Sequence, residues 1–166
     1  MADSGTPSGS PGAETSPKAD SRILINTHYV KDLSFENPNA PAIFAQRDGH
    51  QIKVGIDIRA TALQQRRYEV VLAIKAEAEI QGQRAFIIEL EFAGLVTVGE
   101  AVPDADVEPL LSIEVPRYLF PFARNVIADV SRDGGYPPLL INPVDFAALR
   151  AQQRAASAAT PAAGTA

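Results

Sequence analysis

Cysteine is absent from the sequence, which excludes disulfides, thiolate nucleophiles and cysteine metal sites and is compatible with a reducing compartment. Histidine is nearly absent too: His28 and His50 have no spacing that suggests a metal site. No apolar run approaches the 18 residues of a membrane-spanning helix, and the N-terminus lacks a basic stretch followed by an apolar one. These absences lead us to expect a cytoplasmic protein with no direct membrane insertion. A basic excess is missing as well, since the formal net charge is −5, which argues against nucleic acid and favours cationic partners. Gly134-Gly135 end a helical pattern instead of starting one, and no Gly-x-x-x-x-Gly-Lys occurs, so there is no phosphate loop.

What is present suits one domain: 166 residues with 46% hydrophobic content, enough for a real core once the polar ends are set aside. Residues 1–21 hold no Ile, Leu, Val or Phe but five serines, three glycines and three prolines, a composition that cannot offset the entropy of ordering. We expect a disordered tail there, a folded domain over 22–150, and the end of a C-terminal helix with an alanine-rich tail over 151–166.

In the first strand Ile23, Ile25, Tyr29, Leu33 and Phe35 read as inward, and Asn26, His28, Asp32, Ser34 and Glu36 as outward. The parity breaks at Leu24, Val30 and Lys31, which calls for either a bulge or burial on both faces. The prolines of Asn37-Pro38-Asn39-Ala40-Pro41 then force an extended turn. Ile52, Val54, Ile56 and Ile58 alternate cleanly in a second strand. Tyr68, Val70, Leu72, Ile74, Ala76, Ala78 and Ile80 share one face of a third, and Phe86, Ile88, Leu90, Phe92, Val96 and Val98 one face of a fourth. Gln81-Gly82-Gln83 makes the last two strands a long antiparallel hairpin.

Beyond Pro103 the period becomes helical. Asp106 reads as the cap of a short helix to about Val115, with Pro116 stopping it or opening the next. Leu119, Phe122, Val126, Ile127 and Val130 form one stripe. Tyr136 to Ile141 reads as an extended apolar connector, Asn142-Pro143 as cap and first residue of a last helix, and the chain as fraying from about Ala155. Strands followed by helices indicate α+β: a four-stranded antiparallel sheet with helices packed on one face.

The outward side of the strands carries Asp32, Glu36, Asp57, Glu69, Glu77, Glu79, Glu89 and Glu91 against Lys53, Arg59 and Lys75. A solvated sheet face accounts for such a pattern; so does a docking plate for a basic partner, and the interspersed Ile87 and Leu95 suit an interface. Paired carboxylates also serve acid–base catalysis, but nothing marks a pocket or nucleophile beside them, and His28 and Asp32 lie about 13 Å apart along one strand. We therefore expect no catalytic residues, no metal and no cofactor. Apolar segments outside regular elements (Ala42-Ile43-Phe44, Tyr118 to Phe122, Tyr136 to Ile141) read either as loop packing or as a groove or oligomer interface.

Four segments carry a resemblance: Tyr29-x-Lys31-Asp32-x-Ser34-Phe35-Glu36-x-Pro38-Asn39-Ala40-Pro41, Tyr68-Glu69-Val70-Val71-Leu72, Phe120-Pro121-Phe122-Ala123-Arg124, and Pro138-Leu139-x-Ile141-x-Pro143-Val144-x-Phe146. Through them, over about residues 25–150, the chain resembles the SecB family of bacterial protein-export chaperones. The resemblance implies ATP-independent holding of unfolded precursors and delivery to the SecA motor. It also implies a homotetramer, a dimer of dimers in which first strands pair across protomers. By the family's pattern the motor docks on Asp32, Glu36 and Glu89, with Ile87 where the family has a leucine. Clients are expected in apolar grooves between sheet and helices, for which Phe44, Ile52, Val54 and Ile56 are the candidates. A scaffold or antitoxin-linked chaperone with one dedicated partner is the alternative on the same fold.

Overall fold

A computed structural model describes residues 22–46 and 49–159. The tail expected at 1–21 and the last residues of the expected C-terminal segment lie outside the described residues. Strands β1 (Ile23–Glu36), β2 (His50–Ala62), β3 (Arg67–Ile80) and β4 (Gln83–Val98) form one antiparallel sheet in the order β1-β4-β3-β2. Helices follow: α1 (Asp104–Pro109), a π-helical turn (Leu110–Glu114), α2 (Val115–Asp133) and α3 (Phe146–Ala159). They pack on one face of the sheet, so the α+β architecture is the one that strands followed by helices indicate.

The β3–β4 hairpin is the centre of the sheet. Gln81 (φ 50°) and Gly82 (φ 78°) turn the chain in two residues of positive φ, the mirror-image turn whose twist matches that of the strands. Alternation then buries Val70, Leu72, Ile74, Ala76, Ala78 and Ile80 of β3 with Phe86, Ile88, Leu90, Phe92, Val96 and Val98 of β4. They form one core with Leu119 and Ile127 of α2 and Phe146 of α3.

Strand β1 departs from a simple alternation. Its register with β4 slips between Ile25 and Thr27 and again between Val30 and Asp32, and each extra residue inverts the parity. Ile23, Ile25, Leu33 and Phe35 do lie opposite inward residues of β4. Between the slips, however, His28 pairs with Gly94 and Val30 with Phe92, whereas Tyr29 pairs with Ala93. His28 is thus on the helix side, stacked on Phe122 at 4.3 Å, and Tyr29 is on the outer side, the reverse of the expected assignment.

After β1, Asn37 to Pro41 turns the chain into a short 3₁₀ turn (Ala42–Ala45) that buries Ile43 completely. Side chains fasten this turn to the rest of the fold. Asn37 Nδ2 donates to Gly134 O (3.3 Å), Tyr136 Oη to Asn37 Oδ1 (2.8 Å), and Asn39 Nδ2 to Arg84 O (2.9 Å).

The helical segment is more continuous than the prolines suggest. Pro103, not Asp106, precedes α1, and Asp106 lies within the first turn beside Asp104. Pro109 lacks the N–H that would continue the α ladder, and the wider π turn begins at the next residue. Pro116 sits at the start of α2, where its missing donor costs little. The buried stripe of α2 is Val115, Leu119, Ala123, Ile127 and Ser131. Of the expected stripe, Phe122 is exposed and Val126 and Val130 are only half-buried, because the sheet meets the helix on the neighbouring row.

Gly134-Gly135 end α2, as the sequence predicts, and Tyr136 to Ile141 forms a connector without helix or strand. Buried Ser131 ties the two together, its Oγ donating to Ala128 O (3.0 Å) and accepting from Leu139 N (2.8 Å). Asn142-Pro143 does not start α3. Asp145 caps it instead, Oδ1 accepting from the N–H groups of Ala147 and Ala148 at 3.0 Å each. The helix continues to Ala159, past the point where fraying is expected.

A methyl group on Gly134 would overlap the ring of Phe35. Gly134→Ala is expected to cost about 1–3 kcal/mol through overpacking, read as a lower urea midpoint. Phe35→Leu in the same chain should recover part of that loss, as a coupled pair does.

Candidate functional site

Two surfaces stand out, one on each side of the sheet. On the outer side, Asp32, Ser34 and Glu36 of β1 lie opposite Glu91, Glu89 and Ile87 of β4. The register therefore brings Asp32, Glu36, Ile87 and Glu89 into one patch on adjacent strands. Glu89 is exposed and Ile87 half-buried.

Cations cross this face and neutralise part of it. Lys31, on the same side as Tyr29 in the phase set by the first slip, reaches Glu69 Oε2 at 2.7 Å. The Tyr29 hydroxyl donates to the other oxygen of Glu69 at 2.5 Å. The Lys31 hydrogen bond, then that of Tyr29, holds the Glu69 carboxyl below its ordinary range, and Glu69 in turn raises the Tyr29 phenol. Arg59 pairs with Glu91. Lys75 Nζ lies 2.8 Å from Glu89 and 3.3 Å from Glu77, and the Glu89 contact, followed by that of Glu77, raises the Lys75 pKa. Among the described residues, Asp32 and Glu36 make no ion pair. Lys31 escaped the count of outward bases because its side depends on the slip, for which the broken parity at Val30-Lys31 was the signal. A shallow depression of about 430 Å³ on this face is lined by Asp32, Asp57, Lys75, Glu89 and Glu91, with Gly55 and Ala73 among its other lining residues.

On the helix side the sheet is incompletely covered. Ile52, Val54 and Ile56 of edge strand β2 form one wall of an apolar trough of about 440 Å³, and Leu139, Leu140, Ile141 and Val144 of the connector form the other. Ile52 is 47% exposed, Val54 40% and Leu140 63%. Phe44 is not in that wall: its ring packs on Tyr136 at 5.3 Å, at the start of the same connector. A second hollow of about 520 Å³ lies further along β2, between Ile58, Ala60, Ala62 and Tyr68 on the sheet and Val107 and Leu111 on the helical segment. Its strand half was signalled by Ile58, which continues the β2 alternation. At the opposite edge, Val30, Leu33, Tyr118 and Phe122 are exposed around the His28–Phe122 stack.

His28 and Asp32 face opposite sides of the sheet and make no dyad. Among the described residues no cluster of three or more His, Asp or Glu side chains is placed to hold a metal ion, and no helix is long and apolar enough to cross a membrane.

Three comparisons bear on this geometry. The family model described as preprotein translocase subunit SecB matches residues 16–157. The chain is 49% identical over 140 residues to the protein-export protein SecB of Rhodospirillum rubrum, covering 84% of this chain and 83% of that one. It is 45% identical to the protein-export protein SecB of Parvibaculum lavamentivorans, over 97% of this chain and 99% of the relative. Among solved structures, the fold matches a Mycobacterium tuberculosis SecB-like chaperone, Rv1957, in complex with a ChAD peptide from the HigA1 antitoxin. That match has a TM-score of 0.63 at 16% identity, over 74% of this chain and 91% of that one.

Because the folded pKa of Glu69 is depressed, its network stabilises the fold above the ordinary carboxylate value of 4.5 and is lost as the pH falls through the lower folded value. Glu69→Gln is expected to lower stability by roughly 1 kcal/mol at neutral pH, a figure discounted for the solvent-screened Lys31 end. The gap to wild type should close in strong acid, as urea titrations across pH would show.

Proposed function

The chain belongs to the SecB family of protein-export chaperones, and from that premise we propose that it holds unfolded precursors along β2 and passes them to the SecA motor across the acidic sheet face. The observation that carries the holding role is the β2 trough, where Ile52, Val54 and Leu140 are all open to solvent. A folded chain that leaves aliphatic side chains uncovered on both walls of a trough has a place for extended apolar segments. Binding there derives from burial, roughly 25 cal/mol per Å² of apolar surface. It is indifferent to client sequence beyond its apolar content, and it involves no bond making or breaking. SecB is a chaperone family, not an enzyme family.

For delivery, the proposed docking residues are Asp32, Glu36, Ile87 and Glu89, and those for clients are Ile52, Val54 and Ile56, with Phe44 beside Tyr136 at the start of the connector. The register supports the first group as one patch, with two carboxylates that have no ion pair among the described residues. A homotetramer is proposed as the working assembly. The outer edge of β1, unpaired among the described residues, and the exposed Val30, Leu33, Tyr118 and Phe122 support association through that edge. The cytoplasm, where precursors wait before export, is the proposed location. An antitoxin-linked role is less well supported: the relatives at 45–49% identity over most of the chain are export proteins, whereas the antitoxin-bound chaperone shares the fold alone.

Ile52→Asp combined with Val54→Asp should weaken retention of an unfolded precursor about ten-fold while leaving the thermal midpoint nearly unchanged. Suppression of aggregation of a refolding precursor is the readout, and undiminished suppression would remove the trough from the account. Asp32→Ala with Glu89→Ala should reduce affinity for purified SecA about ten-fold at low salt, less at high salt. Calorimetric titration at two salt concentrations measures it, and unchanged affinity would sink the docking assignment.

A further inference from the structure

Lys75 stands directly opposite Glu89 in the β3–β4 register. Its ammonium touches Glu89 Oε1 at 2.8 Å and Glu77 Oε1 at 3.3 Å. On its other side the β2 residue opposite it is Gly55, which has no side chain, and a Cβ there would meet nothing within 4 Å. Lys75 therefore leans over β4 with open space behind it. Its side chain is 52% exposed and that of Glu89 53%, so the contact is accessible to a competing cation. Of the docking carboxylates, Asp32 and Glu36 make no ion pair among the described residues; Glu89 is already occupied.

We propose that Lys75 is an internal competitor for Glu89, occupying the place a basic side chain of the docking partner would take and setting how tightly that partner binds. The inference rests on the docking reading and adds to it the residue that tunes affinity. A partner cation must displace the Lys75 ammonium, which can swing toward the gap over Gly55 and remain solvated. An exposed pair of this kind is weak and screened by salt, so displacement is easy, but it removes part of the gain. Stray polycations thus gain less from the face than their charge alone would give them. A partner that also reaches Asp32 and Glu36 retains the full attraction of both. Docking is kept reversible, as a site that hands over cargo repeatedly requires.

The test is titration of purified SecA with Lys75→Met, Lys75→Arg and Lys53→Met proteins. Lys53 lies on the same face of β2 and forms no ion pair among the described residues, so it controls for the loss of one positive charge. Lys75→Met should tighten binding about three-fold at low salt, with the difference shrinking at high salt. Lys75→Arg should bind no more tightly than wild type, since a guanidinium holds a carboxylate at least as well. In a Glu89→Ala background Lys75→Met should give no more tightening than Lys53→Met does, because the two residues act as a pair. Equal tightening by Lys53→Met and Lys75→Met in the otherwise wild-type protein would reduce the effect to net charge and overturn the proposal. So would an unchanged affinity of Lys75→Met in a set where Asp32→Ala with Glu89→Ala still weakens binding. If that double variant binds as wild type, the docking reading itself falls, a result distinct from either of these.

Discussion

The phase of β1 decides what this sheet presents to each side. Two inserted residues, one after Ile25 and one after Val30, each turn the strand by half a period. Without the second, Asp32 and Glu36 would point into the helix layer, where a carboxylate without partners is strongly disfavoured. Phe35 would then lose its place in the core beside Phe86, 6.1 Å away. The slip is fastened from a distance: Glu69, two strands away on β3, grips both Lys31 at the bulge and Tyr29 just before it. One carboxylate thus fixes the side on which two others appear.

With that phase set, the sheet separates two chemistries. The helix side buries the aliphatic faces of β3 and β4 fully but covers the edge strands only in part, leaving apolar troughs beside β2. The outer side is a lattice of carboxylates and amines at high dielectric, where each contact contributes little and the pattern of charge contributes more. The apolar troughs and the charged lattice are kept apart by the thickness of a single strand layer.

Much of this was legible in the residues. The alternation in β3 and β4 identified their inward faces because both strands are central and covered on one side. The family was legible as well, from four short motifs, one of which holds Asp32 and Glu36. What escaped depended on distant pairing. Tyr29 and His28 were placed on the wrong sides because a slip can be suspected from broken parity, but its position is set by β4. Asp145 caps α3 instead of Asn142, at the end of a connector that Ser131 holds from eight residues away. The contact of Lys75 with Glu89 follows from the hairpin turn, yet its openness toward β2 depends on Gly55 falling opposite, which only the second hairpin's register decides.

Asn37 is the residue where these surfaces meet. It follows Glu36, the last carboxylate of the outer patch, and its amide holds Gly134 O and the Tyr136 hydroxyl. Three residues further on, Leu139 begins the connector wall of the trough. The end of β1 and the root of the groove wall are thus joined by one side-chain amide, beside the packing of Phe35 against Gly134. The last carboxylate of the outer patch and the first stretch of the apolar wall are therefore close neighbours, although they face opposite sides of the sheet.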